Sequence, residues 1–169
     1  MKLISQLLKN SHRSDRELAK ATGLSQPTVS RLRIKLEKEG YIKEYTIVPD
    51  FEKLGYEIMA ITFVKLGKHL TPEQIEEARQ IAKNDLEKSL LEVIMLERGV
   101  GLKYDGVIIA LCEDYVAYLK HINLLKQYEF LETSEIESFL ISLKDTVRYR
   151  PLTFKALAEH LLTLKQNKK

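Results

Sequence analysis

Residues 14–35 read SDRELAKATGLSQPTVSRLRIK and contain the start and end signals of two successive helices. Ser14 and Glu17 have the spacing of a capping box, in which each side chain accepts a hydrogen bond from the backbone amide of the other, and a helix therefore begins here. Gly23 supplies the left-handed backbone conformation that ends this helix. Ser25 then caps the next helix. Two capped helices joined by so short a turn predict a helix-turn-helix.

The second helix of this motif divides into a core face and an outward face. Apolar side chains recur at helical spacing on the core face, at Leu24, Val29, Leu32 and Leu36. The outward face carries Gln26, Thr28, Ser30, Arg31, Ile34 and Lys35, without an acidic residue. Glutamine and arginine suit base edges in a major groove, while serine, threonine and lysine suit phosphate. We therefore predict DNA contacts at Gln26, Thr28, Ser30, Arg31 and Lys35, with flanking phosphate contacts at Arg33 and Lys43.

The segments around this motif complete a small domain. Residues 1–9 have the apolar spacing of a short amphipathic helix, and Gly40 ends the helix that carries the outward face. Residues 41–48 alternate like a strand until Pro49 stops them. These patterns predict a winged helix-turn-helix, with the wing as a strand, over residues 1–50.

The remainder of the chain predicts a linker over residues 51–57 and a second domain over residues 58–145. Its elements follow the order strand, helix, strand, strand, helix, strand. The four strands are predicted at Tyr56–Leu66, Leu91–Leu96, Val107–Leu111 and Ile136–Leu143. The first helix is capped by Thr71 and the second by Asp114. Gly99-Val100-Gly101 is expected to break the second strand, and Tyr115, Leu119, Ile122 and Leu125 are expected on the packed side of the second helix. This order is typical of a ferredoxin-like βαββαβ sandwich, so the fold class is α+β. Side chains such as Phe63, Ile109 and Phe139 on an uncovered sheet face would favour self-association.

Several of these segments together resemble the Lrp/AsnC family of feast-or-famine transcription regulators, particularly its archaeal members. The resemblance rests on Glu17-Leu18-Ala19, Gly23-Leu24-Ser25, the run from Leu36 to Ile42 and Tyr45-Thr46. It implies a regulator that binds double-stranded DNA as a homodimer, paired sheet to sheet, and that often builds octamers. It also implies a small-molecule effector, such as an amino acid, near a Gly-x-x-Asp hairpin.

The hairpin signature is matched only with one extra residue. Gly101, Tyr104 and Asp105 are the candidate effector-binding residues, because the sequence reads Gly101-Leu102-Lys103-Tyr104-Asp105. The alternative is that Gly99 and Gly101 only form the turn and Asp105 only caps it.

Residues 146–169 form a basic C-terminal extension with a helix. Thr153 is its expected cap, and its apolar stripe is Phe154, Leu157, Leu161 and Leu164. We expect this helix to cover a domain face or to strap two subunits together. A DNA role for Lys165, Lys168 and Lys169 is the alternative.

Charge is unevenly distributed along the chain, whose net charge is +3. Residues 1–55 carry 11 basic and 7 acidic side chains, residues 56–143 carry 9 and 15, and residues 144–169 carry 7 and 2. The basic ends favour polyanionic partners. Hydrophobic runs are interrupted by charges and no signal peptide is recognisable, so we expect a cytoplasmic protein without a membrane partner.

No pattern in the sequence predicts catalysis, a metal or a cofactor. Cys112 is the only cysteine, which excludes an internal disulfide, and we expect it to be buried. The four histidines, His12, His69, His121 and His160, have no paired ligand spacing, so each is expected at the surface or in packing. Two alternatives to a DNA-binding regulator remain. One is an enzyme similar to the sirohaem decarboxylases, which resemble this architecture, and the other is a protein-interaction module that has lost DNA binding.

Overall fold

A computed structural model describes residues 2–67, 69–88, 92–147 and 149–163. The chain forms two compact units. The first unit combines Met1–Pro49 with Arg148–Lys169, and the second is Asp50–Val147.

Three helices build the first unit around one core. They are α1 (Lys2–Lys9), α2 (Asp15–Thr22) and α3 (Gln26–Lys38). The core is a single cluster of buried side chains, with one or two from each helix, namely Leu3, Leu7, Leu18 and Val29. Partly buried residues pack against this cluster at Ala19, Leu32, Leu36 and Ile42. The predicted core face is therefore confirmed at Val29, Leu32 and Leu36. It is wrong at Leu24, which is 37% exposed because it lies in the turn before α3 begins.

The predicted caps of α2 and α3 are confirmed atom by atom. The Glu17 amide donates to Ser14 Oγ at 3.3 Å, and the Ser14 amide donates to Glu17 Oε2 at 2.8 Å. The Ser14 hydroxyl, which donates to Glu17 Oε2 at 2.7 Å, and then the Ser14 amide lower the pKa of the Glu17 carboxyl. Gly23 lies in the left-handed region at φ +74°, and Ser25 accepts a hydrogen bond from the Thr28 amide. The left-handed conformation of Gly23 thus fixes the start of the turn between the helices, and the Ser25 cap fixes its end.

The strand predicted over residues 41–48 is wrong. Residues 42–50 contain neither helix nor strand. A strand is stabilised by the ladder it forms with a second strand, and no strand in the described part of the first unit supplies one. Ile42 packs against the core, whereas Ile47 is largely exposed. We call residues 41–49 the wing segment.

The second unit is the predicted ferredoxin-like sandwich. Its elements are β1 (Ile58–Val64), α4 (Pro72–Lys88), β2 (Glu92–Gly101), β3 (Tyr104–Cys112), α5 (Tyr115–Leu125), a short 3-10 helix (Thr133–Glu135) and β4 (Glu137–Ser142). The four strands form one antiparallel sheet in the order β2-β3-β1-β4. The expected α+β class is confirmed, and Cys112 is buried as expected.

The β2–β3 hairpin is longer and tighter than predicted. The expected break at Gly99-Val100-Gly101 is wrong, because β2 continues to Gly101 through a register shift between Arg98 and Gly101. Only Leu102 and Lys103 form the turn, at φ 53° and 72°. Two central residues with positive φ characterise the type I′ turn, whose twist matches that of paired strands, so pairing extends to the Gly101–Tyr104 pair.

The predicted packed side of helix α5 is confirmed at Ile122 and Leu125 and wrong nearer the start of the helix. Tyr115 and Leu119 were expected inside, but both are exposed. His121 and Leu125 are the buried residues of this helix. Apolar periodicity does not reveal a packed face that is centred on His121, because histidine is not an apolar residue.

The C-terminal extension folds onto the first unit. Its helix, α6 (Lys155–Thr163), begins just after the predicted cap, since the Lys155 amide donates to Thr153 Oγ1 at 3.2 Å. It packs on α1, where Ser5 Oγ donates to the Ala158 carbonyl at 2.7 Å and both residues are fully buried. The expectation that this helix covers a domain face is thus met.

The predicted apolar stripe of this extension is wrong in part, and some of the predicted residues lie outside the described ranges. Phe154 and Leu157 of the predicted apolar stripe are exposed, because the contact is centred on Ala158. Leu164, Lys165, Lys168 and Lys169 lie outside the described residues, as does the first residue of the strand expected from Leu91.

We expect Ala158→Leu to loosen α6 from α1. Added methylenes in a close-packed contact cost about 1–3 kcal/mol, because neighbouring side chains and backbone must shift. Ala156→Leu on the exposed side of the same helix is the control. Urea unfolding followed by circular dichroism should show a lower midpoint for Ala158→Leu alone. Equal midpoints for the two variants would contradict the close contact at Ala158.

Candidate nucleic-acid interface

Helix α3 presents an outward face that carries no acid over its first ten residues. Val29, fully buried, fixes the opposite side of the helix in the core. The side chains that project outward are Gln26, Arg31, Ile34 and Lys35, all exposed. Ile34 has 61% of its surface exposed, which is high for a branched apolar residue. Such a side chain suits the methyl group of thymine, and its arginine neighbour suits guanine.

Two predicted contact residues near the start of α3 are half-buried, and one of them, Thr28, takes part in the helix cap. The Thr28 hydroxyl lies 2.8 Å from Ser25 Oγ, and Thr28 is half-buried. Ser30 is also half-buried, whereas Gln26 is exposed. Thr28 and Ser30 therefore offer less free surface than Gln26 or Arg31.

Arg33 stands apart from the other predicted DNA contacts. Its guanidinium lies 2.5 Å from Asp15 Oδ1, and Nη2 donates to the Arg13 carbonyl at 3.4 Å. The guanidinium also lies 6.0 Å from the centre of the Tyr45 ring. Only 24% of the Arg33 side chain is exposed. Arg33 thus joins α3 to the start of α2 and to the wing segment.

Lys35 is held more loosely than Arg33. Its Nζ lies 3.6 Å from Glu39 Oε1, and both side chains are well exposed. Ion pairs of this kind contribute little and exchange readily with solvent. Lys35 therefore stays available to a polyanion.

The wing segment is anchored to α3 through a tyrosine. Tyr45 Oη donates to Glu37 Oε1 at 2.7 Å. Burial, followed by the Glu37 carboxylate, raises the pKa of Tyr45 to about 12, so the phenol stays protonated. Lys43, two residues before Tyr45, is exposed. Lys43 is thus an exposed cation on a segment that is anchored to α3.

Lys38 is one residue of this surface that the sequence analysis omitted. It is exposed and lies seven positions after Arg31, which is two helical turns along the same side of α3. Helical periodicity in the sequence is sufficient to place Lys38 on this side. Arg31, Ile34 and Lys38 form one outward row.

The structure separates two of the three candidate effector residues. Tyr104 and Asp105 are neighbours in β3, so their side chains point to opposite faces of the sheet. The Tyr104 ring stacks on Phe63 at 5.5 Å, and burial raises the pKa of its phenol. Asp105 Oδ2 accepts a hydrogen bond from the Leu66 amide at 3.0 Å. Gly101, at φ 148°, lies at the end of β2 beside the turn.

Two features are absent from the described residues. Among residues 2–67, 69–88, 92–147 and 149–163, no group of three histidine, cysteine or acidic side chains is placed to hold a metal ion. In the same ranges no helix has the length and apolar character needed to cross a membrane.

Known proteins share both the first unit and the full architecture. Residues 1–43 match the family model for winged helix-turn-helix DNA-binding. An HTH-type transcriptional regulator of Pyrococcus furiosus is 34% identical over 139 residues, which cover 81% of this chain and 87% of that protein. The crystal structure of PH0061, an HTH-type transcriptional regulator of Pyrococcus horikoshii, has a TM-score of 0.67 at 26% identity and covers 90% of this chain and 95% of its own.

Two bacterial structures share the fold at lower identity. LrpC of Bacillus subtilis has a TM-score of 0.65 at 24% identity and covers 88% of this chain and 94% of its own. The transcriptional regulator NMB0573 of Neisseria meningitidis, solved as a complex with L-Met, has a TM-score of 0.73 at 21% identity and covers 95% of both chains. The relative that is 34% identical shows that the chain belongs to the HTH-type transcriptional regulators, and the solved structures show that it has the fold of the Lrp/AsnC regulators.

Proposed function

We propose that this regulator reads its operator by inserting the outward face of α3 into the major groove of duplex DNA. The observation that carries the proposal is the exposed row of Arg31, Ile34 and Lys38 on a helix whose other side is fixed by the buried Val29. A rigid helix with one free, basic face is what groove recognition requires. Gln26 and Arg31 would read base edges, while Thr28, Ser30 and Lys35 would contact bases or phosphates near them.

Two more cations have distinct roles in this proposal. Lys43, exposed on the anchored wing segment, contacts backbone phosphate. Arg33, which the sequence analysis placed with the phosphate contacts, instead positions α3 through Asp15 and the Arg13 carbonyl. A partly buried arginine that is engaged by a carboxylate would have to break that pair to reach DNA.

The sheet of the second unit supports a homodimer. Its register places Ile61, Ile109 and Phe139 side by side on one face, and 66% of Phe139 is exposed. An exposed apolar patch of this kind is stabilised by burial against a second copy. We propose sheet-to-sheet pairing, with an octamer as a further assembly of such dimers. The operator would then be roughly palindromic, with half-sites about one helical turn or a multiple apart.

An amino acid effector is proposed for the hairpin at Gly101, Tyr104 and Asp105. The support comes from the NMB0573 structure, which contains L-Met. Asp105 is half-buried and Gly101 is exposed beside the turn, so the hairpin offers both a carboxylate and an open backbone. An effector acts by binding one DNA-binding state more tightly than another.

Arg31→Ala should weaken operator binding by about 1–3 kcal/mol and relax sequence preference, because a bidentate base contact is lost.

Lys43→Ala should weaken binding to all duplexes alike and lower the slope of log affinity against log salt by about one, because a phosphate contact is lost. Fluorescence anisotropy with operator and scrambled duplexes over a salt series measures both effects.

Two further variants serve as controls for this experiment. Lys120→Ala removes an exposed cation from the second unit and should leave all affinities unchanged. Arg33→Ala should lower the thermal unfolding midpoint, because it removes the ion pair with Asp15. Arg31→Ala does not touch that ion pair and should leave the midpoint unchanged. Unchanged operator affinity for Arg31→Ala would overturn the docking of α3.

Phe139→Glu should shift the protein from dimer to monomer, because a charge would be buried in the sheet-to-sheet contact. Sedimentation velocity at several concentrations measures the shift, and a loss of at least roughly tenfold in dimer affinity is expected. Glu129→Lys, an exposed change elsewhere in the unit, is the control. A dimer that is unaffected by Phe139→Glu would place the interface elsewhere.

L-methionine should change the midpoint of operator binding, and Asp105→Asn should reduce that change while preserving the acceptor for the Leu66 amide. The measurement is the anisotropy titration with and without the amino acid, with Glu129→Gln as the control. The effector proposal fails if L-methionine leaves the wild-type titration unchanged.

A further inference from the structure

The second unit contains a cavity of about 910 Å³, lined by α4, α5 and the strands β1, β2 and β3. This volume falls within the range of small-molecule sites in proteins. Apolar side chains supply much of its wall, among them Val64, Ala78, Val93, Ile108 and Leu125. The cavity can therefore surround a small, largely apolar molecule.

One polar group in the cavity wall is buried without a partner. His121 is only 2% exposed, and neither of its ring nitrogens has a hydrogen-bond partner in the described part of the chain. Burial lowers the pKa of this imidazole, so the neutral form is favoured. Buried polar groups are nearly always paired, because an unpaired one keeps the cost of leaving water. His121 thus has one donor and one acceptor that a ligand can satisfy.

Three half-buried polar groups of the wall already have hydrogen-bond partners. Tyr128 Oη donates to Asp85 Oδ2 at 2.8 Å, and Asp105 Oδ2 accepts from the Leu66 amide. These bonds leave the imidazole as the buried group with free hydrogen-bonding capacity.

The wall does not favour an ion. Three basic and three acidic side chains line it, so their formal charges cancel: Arg79, Lys83, Arg98, Asp85, Glu97 and Asp105. A neutral imidazole adds no charge. A charged ligand group would lose its hydration without a net opposite charge to replace it.

We propose that this cavity binds an uncharged, mostly apolar small molecule that carries a single N–H or O–H group, and that this group hydrogen-bonds to His121. The cavity shares Asp105 with the proposed amino acid site at the hairpin, but His121 lies outside that site, so this proposal does not depend on it. The ligand belongs to the chemical class of indoles, phenols and simple alcohols with an apolar body.

Indole and indene test the proposal on the full chain, because they share a shape and differ in one N–H group. Isothermal titration calorimetry should give a roughly tenfold lower Kd for indole, the factor that one net hydrogen bond contributes. His121→Leu should abolish the difference between the two ligands, whereas His160→Leu, an exposed change outside the cavity, should preserve it.

Independent readouts separate this role of His121 from a structural one. The unliganded His121→Leu variant should melt at the wild-type temperature or above, because removing an unpaired buried polar group is not destabilising. Ala82→Met, which narrows the cavity, should weaken both ligands in a chain that retains His121. Equal affinities of wild-type protein for indole and indene, or binding of neither, would overturn the proposal. Tighter binding of L-tryptophan than of indole would overturn the assignment of an uncharged ligand.

Discussion

The complete burial of Leu18 and Val29 is the constraint on which the DNA-binding unit depends. Each comes from a different helix of the motif, and removing such a side chain from water stabilises a fold by about 1.5–3 kcal/mol. Their contact orients the two helices only because Gly23 turns the chain sharply between them, at φ +74°. Once this contact is made, the rotation of α3 about its own axis is fixed. Arg31 then has to project outward, since it lies on the side of the helix away from Val29.

The parts of the fold that could be predicted from sequence are those whose partners lie close along the chain. The capping box of Ser14 and Glu17 spans three residues, so its spacing alone indicates the hydrogen bonds that form. The wing segment shows the opposite case. Its alternation predicts a strand, but a ladder needs a second strand, and alternation carries no information on whether one is present. The position of the β2–β3 turn was predicted wrongly for a related reason. Leu102 and Lys103 adopt positive φ without the glycine or asparagine that usually marks such a turn.

The candidate functional sites also differ in how far they could be predicted from the sequence. The outward residues of α3 follow from helical periodicity, which needs no knowledge of other segments. His121 does not, because its role depends on α4 and three strands that meet it only in the folded unit. In the sequence it interrupts an apolar pattern, so the predicted packed side of α5 omitted His121 and included Tyr115 and Leu119, which are exposed. The residue that disturbed the prediction is thus the one that gives the cavity its chemical character, as is common where a local rule is broken at a site with a function.

Arg31 and Arg33 show most clearly what sequence leaves open. They are identical side chains two positions apart in one helix, and composition and charge treat them alike. Two steps along an α-helix rotate a side chain by more than half a turn, so one arginine faces outward and the other faces α2. Asp15 then decides the difference, because it lies in the first turn of α2 and pairs with Arg33 at 2.5 Å. The acid that strengthens the start of one helix therefore also removes one cation from the surface of the next, and the number of basic residues on a recognition helix overstates the number that can reach DNA.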